Sequence, residues 1–153
     1  IVIAPQCPPD QTWFDYRNEL ILLLDHVLEQ HNVDPDRVYL TGLSMGGFGT
    51  WDLARLHPDR FAAIAPICGG LPWLVALGSA ALTLRTMPVW AFHGALDDIV
   101  PIERSQEAVD ALRAAGNDVR FTVYPDLKHD SWTISYANPE LYTWFLEHRI
   151  ERA

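Results

Sequence analysis

A serine in a very short turn is the sequence feature that most limits how this chain can fold. Residues 42–47 read Gly-Leu-Ser-Met-Gly-Gly, between an apolar run at residues 38–40 and a helical pattern. A strand, a tight turn and a helix in this order place the serine hydroxyl on a sharp point above the sheet edge. Such a turn strains its serine, and we expect a Cβ atom at Gly42 or Gly46 to collide with the neighbouring strand or helix. The segment predicts a nucleophile at Ser44, although this pattern also occurs by chance in glycine-rich loops.

Apolar runs that suit strands alternate with helical patterns along the rest of the chain. The alternation predicts an α/β fold, with a mostly parallel sheet and helices on both faces. At 153 residues the chain has the length of a single domain. The helix predicted at residues 71–84 is expected to lie across the mouth of the site. The predicted strands are residues 1–4, 37–41, 61–67, 88–92 and 119–124, and the predicted helices are residues 14–31, 48–57, 71–84, 102–115 and 139–149.

Composition and charge exclude several kinds of partner. The formal net charge of −9 argues against a nucleic acid or an anionic membrane. No apolar run approaches the ~20 residues needed to span a bilayer. Cys7 and Cys68 lie far apart in the sequence, and we expect two reduced, partly buried thiols. A cytoplasmic location is favoured, but the chain begins at Ile1 inside a predicted strand. We therefore expect an N-terminally shortened chain, in which a removed signal would leave no trace.

Three of the predicted strands are followed by residues of the kinds used in nucleophilic catalysis. Ser44 follows the second strand, and His129 follows the fifth. Two carboxylates, Asp97 and Asp98, follow the fourth. Because the carboxyl ends of parallel strands meet at one edge of a sheet, we expect these residues to lie together. A serine hydroxyl needs a base to take its proton, and an imidazole oriented by a carboxylate is the suitable base near neutral pH.

Five segments form a joint pattern that covers nearly the whole chain: residues 4–8, 42–47, 65–70, 93–101 and 129–132. With them the chain resembles α/β-hydrolase serine esterases of the dienelactone hydrolase and phospholipase/carboxylesterase type, nearest the predicted-peptidase and feruloyl-esterase-like branch. The resemblance implies an α/β-hydrolase fold with a reduced sheet, in a single domain over residues 1–153. It makes Ser44 the nucleophile, Asp97 the acid member and His129 the base of a catalytic triad, in the chain order that this fold uses.

Asp98 is the main rival of Asp97 for the acid role. In the family pattern His-Gly-x-x-Asp-x-x-Val-Pro the carboxylate falls four residues after the histidine, and counting from His93 this favours Asp97. Asp98 is then a turn or helix-entry residue. Asp130, next to His129, is also assigned to a turn, and His93 is assigned to shaping the strand end. No pair of histidines has metal-ligand spacing with acidic or cysteine partners, so neither a metal nor a cofactor is expected.

Acyl transfer also needs an oxyanion hole, and only half of one is evident. One donor is expected to be the backbone N–H of Met45, the residue after the nucleophile. In this family the second donor comes from a loop after an earlier strand. In the family's sheet that strand lies between the strands that correspond to residues 1–4 and 37–41, and it is missing here. We prefer a direct pairing of residues 1–4 with residues 38–40, which brings Gln6 or its backbone N–H to the site. Residues upstream of this chain, or a second copy that pairs at the exposed edge as a homodimer, are the alternatives.

The leading hypothesis is a serine hydrolase that cleaves small carboxylic esters through an acyl-enzyme. The alternative from another class is a non-catalytic or weakly active binding module, for which the incomplete oxyanion hole is the argument. A peptidase is a third hypothesis, and it is less favoured because nothing in the sequence specifies an extended substrate cleft. Trp73 and Trp132 are candidates for lining an acyl or alcohol pocket, and ordinary core positions explain them equally well.

Overall fold

A four-stranded parallel sheet forms the centre of the molecule. The computed structural model describes residues 1–73 and 76–151. In these residues the sheet has the order β1-β2-β3-β4. Its strands are β1 (Tyr39–Leu43), β2 (Ala63–Ile67), β3 (Trp90–Gly94) and β4 (Arg120–Tyr124). The α-helices are α1 (Arg17–Gln30), α2 (Met45–Leu56), α3 (Leu77–Thr83), α4 (Glu103–Ala114), α5 (Trp132–Ala137) and α6 (Pro139–Glu147), and short 3-10 turns cover Trp13–Tyr16 and Pro58–Arg60.

Both faces of the sheet are covered by helices, as the alternating sequence predicts. One apolar cluster joins α1, α2, α3 and α4 to the face that presents Ile64 and Ala91. A second cluster joins α5 and α6 to the opposite face, where Ile67 and Phe92 point. β2 and β3 are buried at every residue, as parallel strands between two helical layers are. Full burial of such a side chain contributes about 1.5–3 kcal/mol, so the two layers hold the sheet and its loops in place.

The strand predicted at residues 1–4 is wrong. These residues form no strand, and their side chains are exposed, with Val2 at 90%. The predicted pairing with residues 38–40 is therefore also wrong: β1 pairs with β2, and it is an edge strand of the sheet in the described residues. An apolar β-branched pattern indicates a strand locally, but a strand also needs a partner ladder for its backbone N–H and C=O groups. Association of two copies at this edge stays a prediction.

Two further elements differ from the sequence expectation. The helix predicted at residues 71–84 covers only Leu77–Thr83, and residues 74–75 lie outside the described residues. α3 packs through Ala80 and Ala81 into the core cluster shared with α4, and its expected place across the mouth of the site stays a prediction. The six-residue helix α5 was not predicted, because it is too short to show a helical apolar period. No helix within residues 1–73 and 76–151 is long and apolar enough to cross a membrane.

Close backbone contacts explain which glycines the serine turn requires. A Cβ atom at Gly42 would overlap the backbone of Gly46, as predicted. A Cβ atom at Gly46 would meet only Trp13 Nε1, at 3.9 Å, so the predicted collision at Gly46 is wrong. Besides Gly42, it is the next residue, Gly47, that needs to be glycine. A Cβ atom at Gly47 would overlap the carbonyl oxygen of Ile67, because α2 runs directly against the end of β2.

We predict that Gly47→Ala lowers the free energy of unfolding by about 1–3 kcal/mol, as overpacking in a close contact does. Gly46→Ala is the matched control from the same turn, and it should change that free energy by less than about 1 kcal/mol. Urea unfolding followed by circular dichroism measures both values. Equal unfolding midpoints for the two variants would contradict the close contact between α2 and β2.

Candidate active site

Ser44 occupies a strained backbone conformation between β1 and α2. Its φ of 51° and ψ of −116° lie in a region that residues other than glycine rarely adopt. Such a conformation costs of order 1–3 kcal/mol and persists only where the surroundings hold it. The Ser44 N–H donates to the Ile67 carbonyl at 3.0 Å and lies 3.3 Å from Cys68 Sγ. The Ser44 carbonyl accepts from the Phe48 N–H at 3.1 Å, inside α2. The end of β2 and the start of α2 therefore hold the turn from both sides.

Asp97 lies in the loop after β3, and its side chain is fully buried. Its Oδ1 accepts hydrogen bonds from the backbone N–H groups of Ile99 and Val100, each at 2.9 Å. Its Oδ2 lies 2.8 Å from His129 Nδ1. Burial opposes ionisation of this carboxyl, but the hydrogen bonds from His129, Val100 and Ile99 outweigh it and hold the pKa of Asp97 below its ordinary value. The carboxylate is therefore ionised and fixed in direction.

His129 reaches the same place from the loop after β4. Two backbone bonds join this loop to the loop after β3: Ala95 N–H donates to the Tyr124 carbonyl, and Leu96 N–H donates to the Leu127 carbonyl, each at 2.9 Å. The loops pass so closely that a Cβ atom at Gly94 would overlap the Leu127 carbonyl. This contact determines how far His129 stands from Asp97.

The structure brings together the three residues that the sequence singled out. His129 Nε2 lies 2.9 Å from Ser44 Oγ, and His129 Nδ1 lies 2.8 Å from Asp97 Oδ2. Both distances are within the range of hydrogen bonds. Eighteen per cent of the His129 side chain is exposed, while the Asp97 side chain is fully buried. A hydroxyl, an imidazole and a buried carboxylate are thus joined in this order by two hydrogen-bond contacts.

The two rival carboxylates lie elsewhere. Asp98 is exposed, and its Oδ2 pairs with Lys128 Nζ at 2.8 Å, which lowers the pKa of Asp98. Asp130 accepts from the backbone N–H and the hydroxyl of Thr133, each at 3.0 Å, so it is a turn residue at the start of α5, as predicted. Neither has a described hydrogen bond to His129 in residues 1–73 and 76–151.

The two predicted oxyanion donors differ in placement. Met45 is the first residue of α2, so its backbone N–H has no acceptor within the helix. It stands directly after Ser44 and is available to an oxyanion. Gln6 lies in the exposed segment before the first 3-10 turn, and its side-chain amide donates to the neighbouring Cys7 carbonyl at 3.4 Å. No contact described for the resolved ranges joins Gln6 to Ser44.

An apolar cavity opens beside Ser44. Its volume is about 270 Å³, and Trp73 is part of its wall although 76% of this side chain is exposed. Phe48 packs on Trp73 with ring centroids 5.9 Å apart, and the Arg104 guanidinium lies 5.0 Å from the Trp73 ring. The sequence did not single out the other aromatic residues of the wall, because they come from separate elements. The cavity is lined by Thr12, Trp13, Phe14, Ser44, Met45, Phe48, Pro72 and Trp73.

Trp132 has a different surrounding from Trp73. Its ring stands edge-on to the His129 ring, with centroids 5.3 Å apart, and it packs on the apolar cluster under α5 and α6. It is absent from the described lining of the cavity beside Ser44. Trp132 therefore supports the imidazole from the core side, whereas Trp73 faces the space that a substrate would enter.

Cys68 is a neighbour of the site that sequence reasoning missed. Ligand atoms of Cys68, Asp97 and His129 all lie within 4.8 Å of one another. Burial raises the pKa of Cys68 to about 11, so the sulfur is a protonated thiol rather than a metal-binding thiolate. The Asp97 and His129 atoms already bond to each other, so this donor set does not suit a metal ion. The only sequence signal was its position at the end of a predicted strand, before Gly69.

The sheet is parallel, with a strained serine turn after β1, a carboxylate after β3 and an imidazole after β4. This arrangement defines the class of protein, which is the class with the α/β-hydrolase fold. The sequence profile of the phospholipase/carboxylesterase family matches this chain over residues 10–138. The chain therefore belongs to that family, and the family and fold expected from the sequence are confirmed.

Solved structures and known proteins agree with this assignment. A crystal structure of a thermostable esterase superposes with a TM-score of 0.84 and 34% identity, covering 95% of this chain and 43% of that one. Acyl-protein thioesterase 1 of Gibberella zeae is 33% identical over 116 residues, 69% of this chain and 48% of the relative. A probable inactive carboxylesterase of Oryza sativa subsp. japonica is 31% identical over 98 residues, 63% of this chain and 40% of the relative. The chain thus spans less than half the length of each.

We predict that Cys68 resists alkylation although it lies beside Ser44. It is fully buried, and its raised pKa leaves very little thiolate at pH 8. Iodoacetamide at pH 8 followed by peptide mass spectrometry should find Cys68 unlabelled in the folded protein and fully labelled in urea. Rapid labelling of Cys68 in the folded protein would contradict this description of its surroundings.

Proposed function

We propose that this chain is a serine hydrolase that cleaves small carboxylic esters through an acyl-enzyme, with Ser44, His129 and Asp97 as its catalytic triad. The observation that carries the proposal is the 2.9 Å distance from His129 Nε2 to Ser44 Oγ, with Asp97 on the other ring nitrogen. A hydroxyl is activated as a nucleophile when it contacts a base and a third group orients that base.

In the acylation half-reaction Ser44 Oγ attacks the ester carbonyl carbon while His129 Nε2 takes the hydroxyl proton. Asp97 accepts the Nδ1–H throughout and stabilises the imidazolium that forms. The Met45 N–H donates to the oxygen that becomes negative in the tetrahedral intermediate. Collapse of this intermediate breaks the bond to the alcohol oxygen, which takes the proton from His129 and leaves.

Deacylation repeats these steps with water in place of the serine. His129 takes a proton from a water molecule, and the resulting nucleophile attacks the acyl carbon bound to Ser44. The second tetrahedral intermediate collapses, the proton returns from His129 to Ser44 Oγ, and the carboxylic acid is released. No residue changes its net protonation over the whole cycle, so no further reactant than water is needed.

The cavity beside Ser44 supports an ester with an apolar group on one side of the scissile bond. A space of about 270 Å³ walled by aromatic residues accepts a short chain or a single ring. Trp73 is the proposed substrate contact, since it forms the outer wall and is held from behind by Arg104. Trp132, which we also considered for this role, is proposed to support His129 instead.

A non-catalytic binding module is the second candidate. One relative carries the description of a probable inactive carboxylesterase. Gln6, which the sequence suggested as the second oxyanion donor, donates its side-chain amide to the backbone carbonyl of Cys7. Loss of one oxyanion donor costs about 10²–10³ in rate, so a chain with Met45 alone is expected to be a slow esterase rather than an inert one.

Ser44→Ala tests the nucleophile directly. The variant should fold normally and lose turnover of a short-chain chromogenic ester, because it removes the hydroxyl that contacts His129 Nε2. A fluorophosphonate probe should add one phosphonyl group to Ser44 in the unaltered chain and none in the variant, by intact-mass measurement. Unchanged turnover in Ser44→Ala would overturn the esterase proposal, and absence of any adduct in the unaltered chain would favour the binding module.

Asp97→Asn and Asp98→Asn form a matched pair for the acid role. Asparagine at position 97 keeps the shape but presents an amide to His129 Nδ1, which favours the wrong tautomer, and kcat should fall by about 10⁴-fold. Asp98→Asn removes only an exposed ion pair with Lys128, so kcat should stay within about twofold. Ester turnover of the two purified variants decides the assignment. A larger loss in Asp98→Asn would make Asp98 the acid member.

A further inference from the structure

A second histidine contacts the carboxylate that orients His129. His93 lies in β3 and is completely buried. Its Nε2 stands 3.2 Å from Asp97 Oδ2, the same oxygen that lies 2.8 Å from His129 Nδ1. The Val100 carbonyl lies 2.9 Å from His93 Nε2, and the Val100 N–H donates to Asp97 Oδ1. His93 is thus in contact with both the carboxylate and the loop that carries it.

The other nitrogen of the His93 ring contacts α4. Ser105, in the first turn of that helix and 1% exposed, has its Oγ 2.7 Å from His93 Nδ1. The same hydroxyl lies 2.6 Å from the Gly69 carbonyl, at the end of β2. A continuous series of close polar contacts therefore extends from Gly69 through Ser105, His93 and Asp97 to His129. None of the groups in its first half is used by the mechanism proposed above.

The neighbours of His93 determine where its proton lies. Both groups facing Nε2, the Val100 carbonyl and Asp97 Oδ2, can only accept hydrogen bonds. A bare Nε2 would place three acceptors against one another in a buried space, which is unfavourable. A proton on Nε2 satisfies both neighbours. When the ring is neutral, Nδ1 then accepts the single Ser105 hydroxyl proton, which is no longer available to the Gly69 carbonyl; when Nδ1 is protonated as well, Ser105 accepts from the ring and donates to Gly69. Burial lowers the pKa of His93, and the acceptors at Val100 and Asp97 oppose that lowering.

We propose that His93 is a positioning residue of the active site, which donates its Nε2–H to Asp97 Oδ2 and so shares that oxygen with His129. The proposal rests on the esterase function above for its kinetic consequences, but its hydrogen-bond arrangement does not. With this donor in place, Asp97 receives N–H groups from both sides and cannot turn away from His129. Ser105 holds the His93 ring in register from the opposite side.

Several titratable groups surround this series of polar contacts. In the part of the chain that the structure describes they are Asp97 and His129 within it, Cys68 directly after β2, Asp130 in the loop before α5, and the exposed pair of Asp98 and Lys128 next to Asp97 and His129. Cys68 is neutral because burial raises its pKa to about 11. Removing the His93 donor leaves Asp97 Oδ2 with His129 alone, so the Asp97–His129 pair should keep its additional proton up to a higher pH.

Nitrogen NMR of the imidazole rings tests the proton on His93 without any substrate. In protein labelled with ¹⁵N-histidine, two-bond correlation spectra distinguish protonated from bare ring nitrogens, and comparison with His93→Gln assigns the resonances. We expect a protonated Nε2 on His93 at pH 7. A bare Nε2 would overturn the proposal, whether or not the chain proves to be an esterase.

A matched pair of variants tests the kinetic consequence. Glutamine can place an amide N–H near the position of Nε2, whereas leucine of similar size has no donor. In His93→Leu the acid limb of the kcat/KM profile should move upward by on the order of half a pH unit, and kcat/KM at pH 7 should fall about tenfold. In His93→Gln the acid limb should stay where it is in the unaltered chain.

Near-ultraviolet circular dichroism and urea midpoints establish whether each variant is folded. A purely structural role for His93 would lower the midpoints of both variants and leave the acid limb in place, and that result overturns the proposal. If His93→Leu does not fold, the NMR measurement on the unaltered chain decides. If the phosphonate probe fails to label Ser44 while His93 carries the Nε2 proton, the esterase function fails and the hydrogen-bond arrangement stands.

Discussion

The close backbone contact between the start of α2 and the end of β2 is the constraint on which the site depends. Gly47 lies so near the Ile67 carbonyl that no side chain fits between them. The same carbonyl accepts the Ser44 N–H, so one oxygen fixes both the helix and the turn. Because the turn is held in this way, Ser44 can keep a positive φ that would relax in a free loop. The hydroxyl direction is a consequence of helix packing.

A second set of backbone contacts places His129 and Asp97. The loops after β3 and β4 are joined by hydrogen bonds from Ala95 and Leu96, and Gly94 allows their close approach. Asp97 is then buried with both carboxylate oxygens bonded to N–H groups. A buried charge is tolerable only when it is bonded in this manner, and the same bonds give it a single direction. The bonded loops therefore hold His129 and Asp97 in defined directions, and the reaction proposed above would use this preorganisation.

Charge and cavity divide the site into two unlike halves. On one side of Ser44 a buried polar series passes through His129, Asp97 and His93 to α4. On the other side an aromatic cavity is open to solvent past Trp73. Polar groups in a buried setting hold protons in defined places, whereas the apolar wall discriminates only by size and shape. The two halves therefore offer different surroundings to a bound molecule: fixed protons on one side of Ser44 and an apolar space on the other.

The sequence alone was enough to predict the α/β fold, because strand and helix patterns alternate along it, and the family, because five of its segments resemble that family. It also predicted the convergence of Ser44, Asp97 and His129, because the carboxyl ends of successive parallel strands share one edge. It failed where a local pattern needed a distant partner. Residues 1–4 have a strand pattern but no ladder, and Gly46 has room that only the position of α2 reveals. The contacts of Cys68 and Ser105 with the site join residues far apart along the chain, so no periodicity marks them. Tertiary structure decided these contacts because burial and hydrogen-bond geometry depend on which elements pack together.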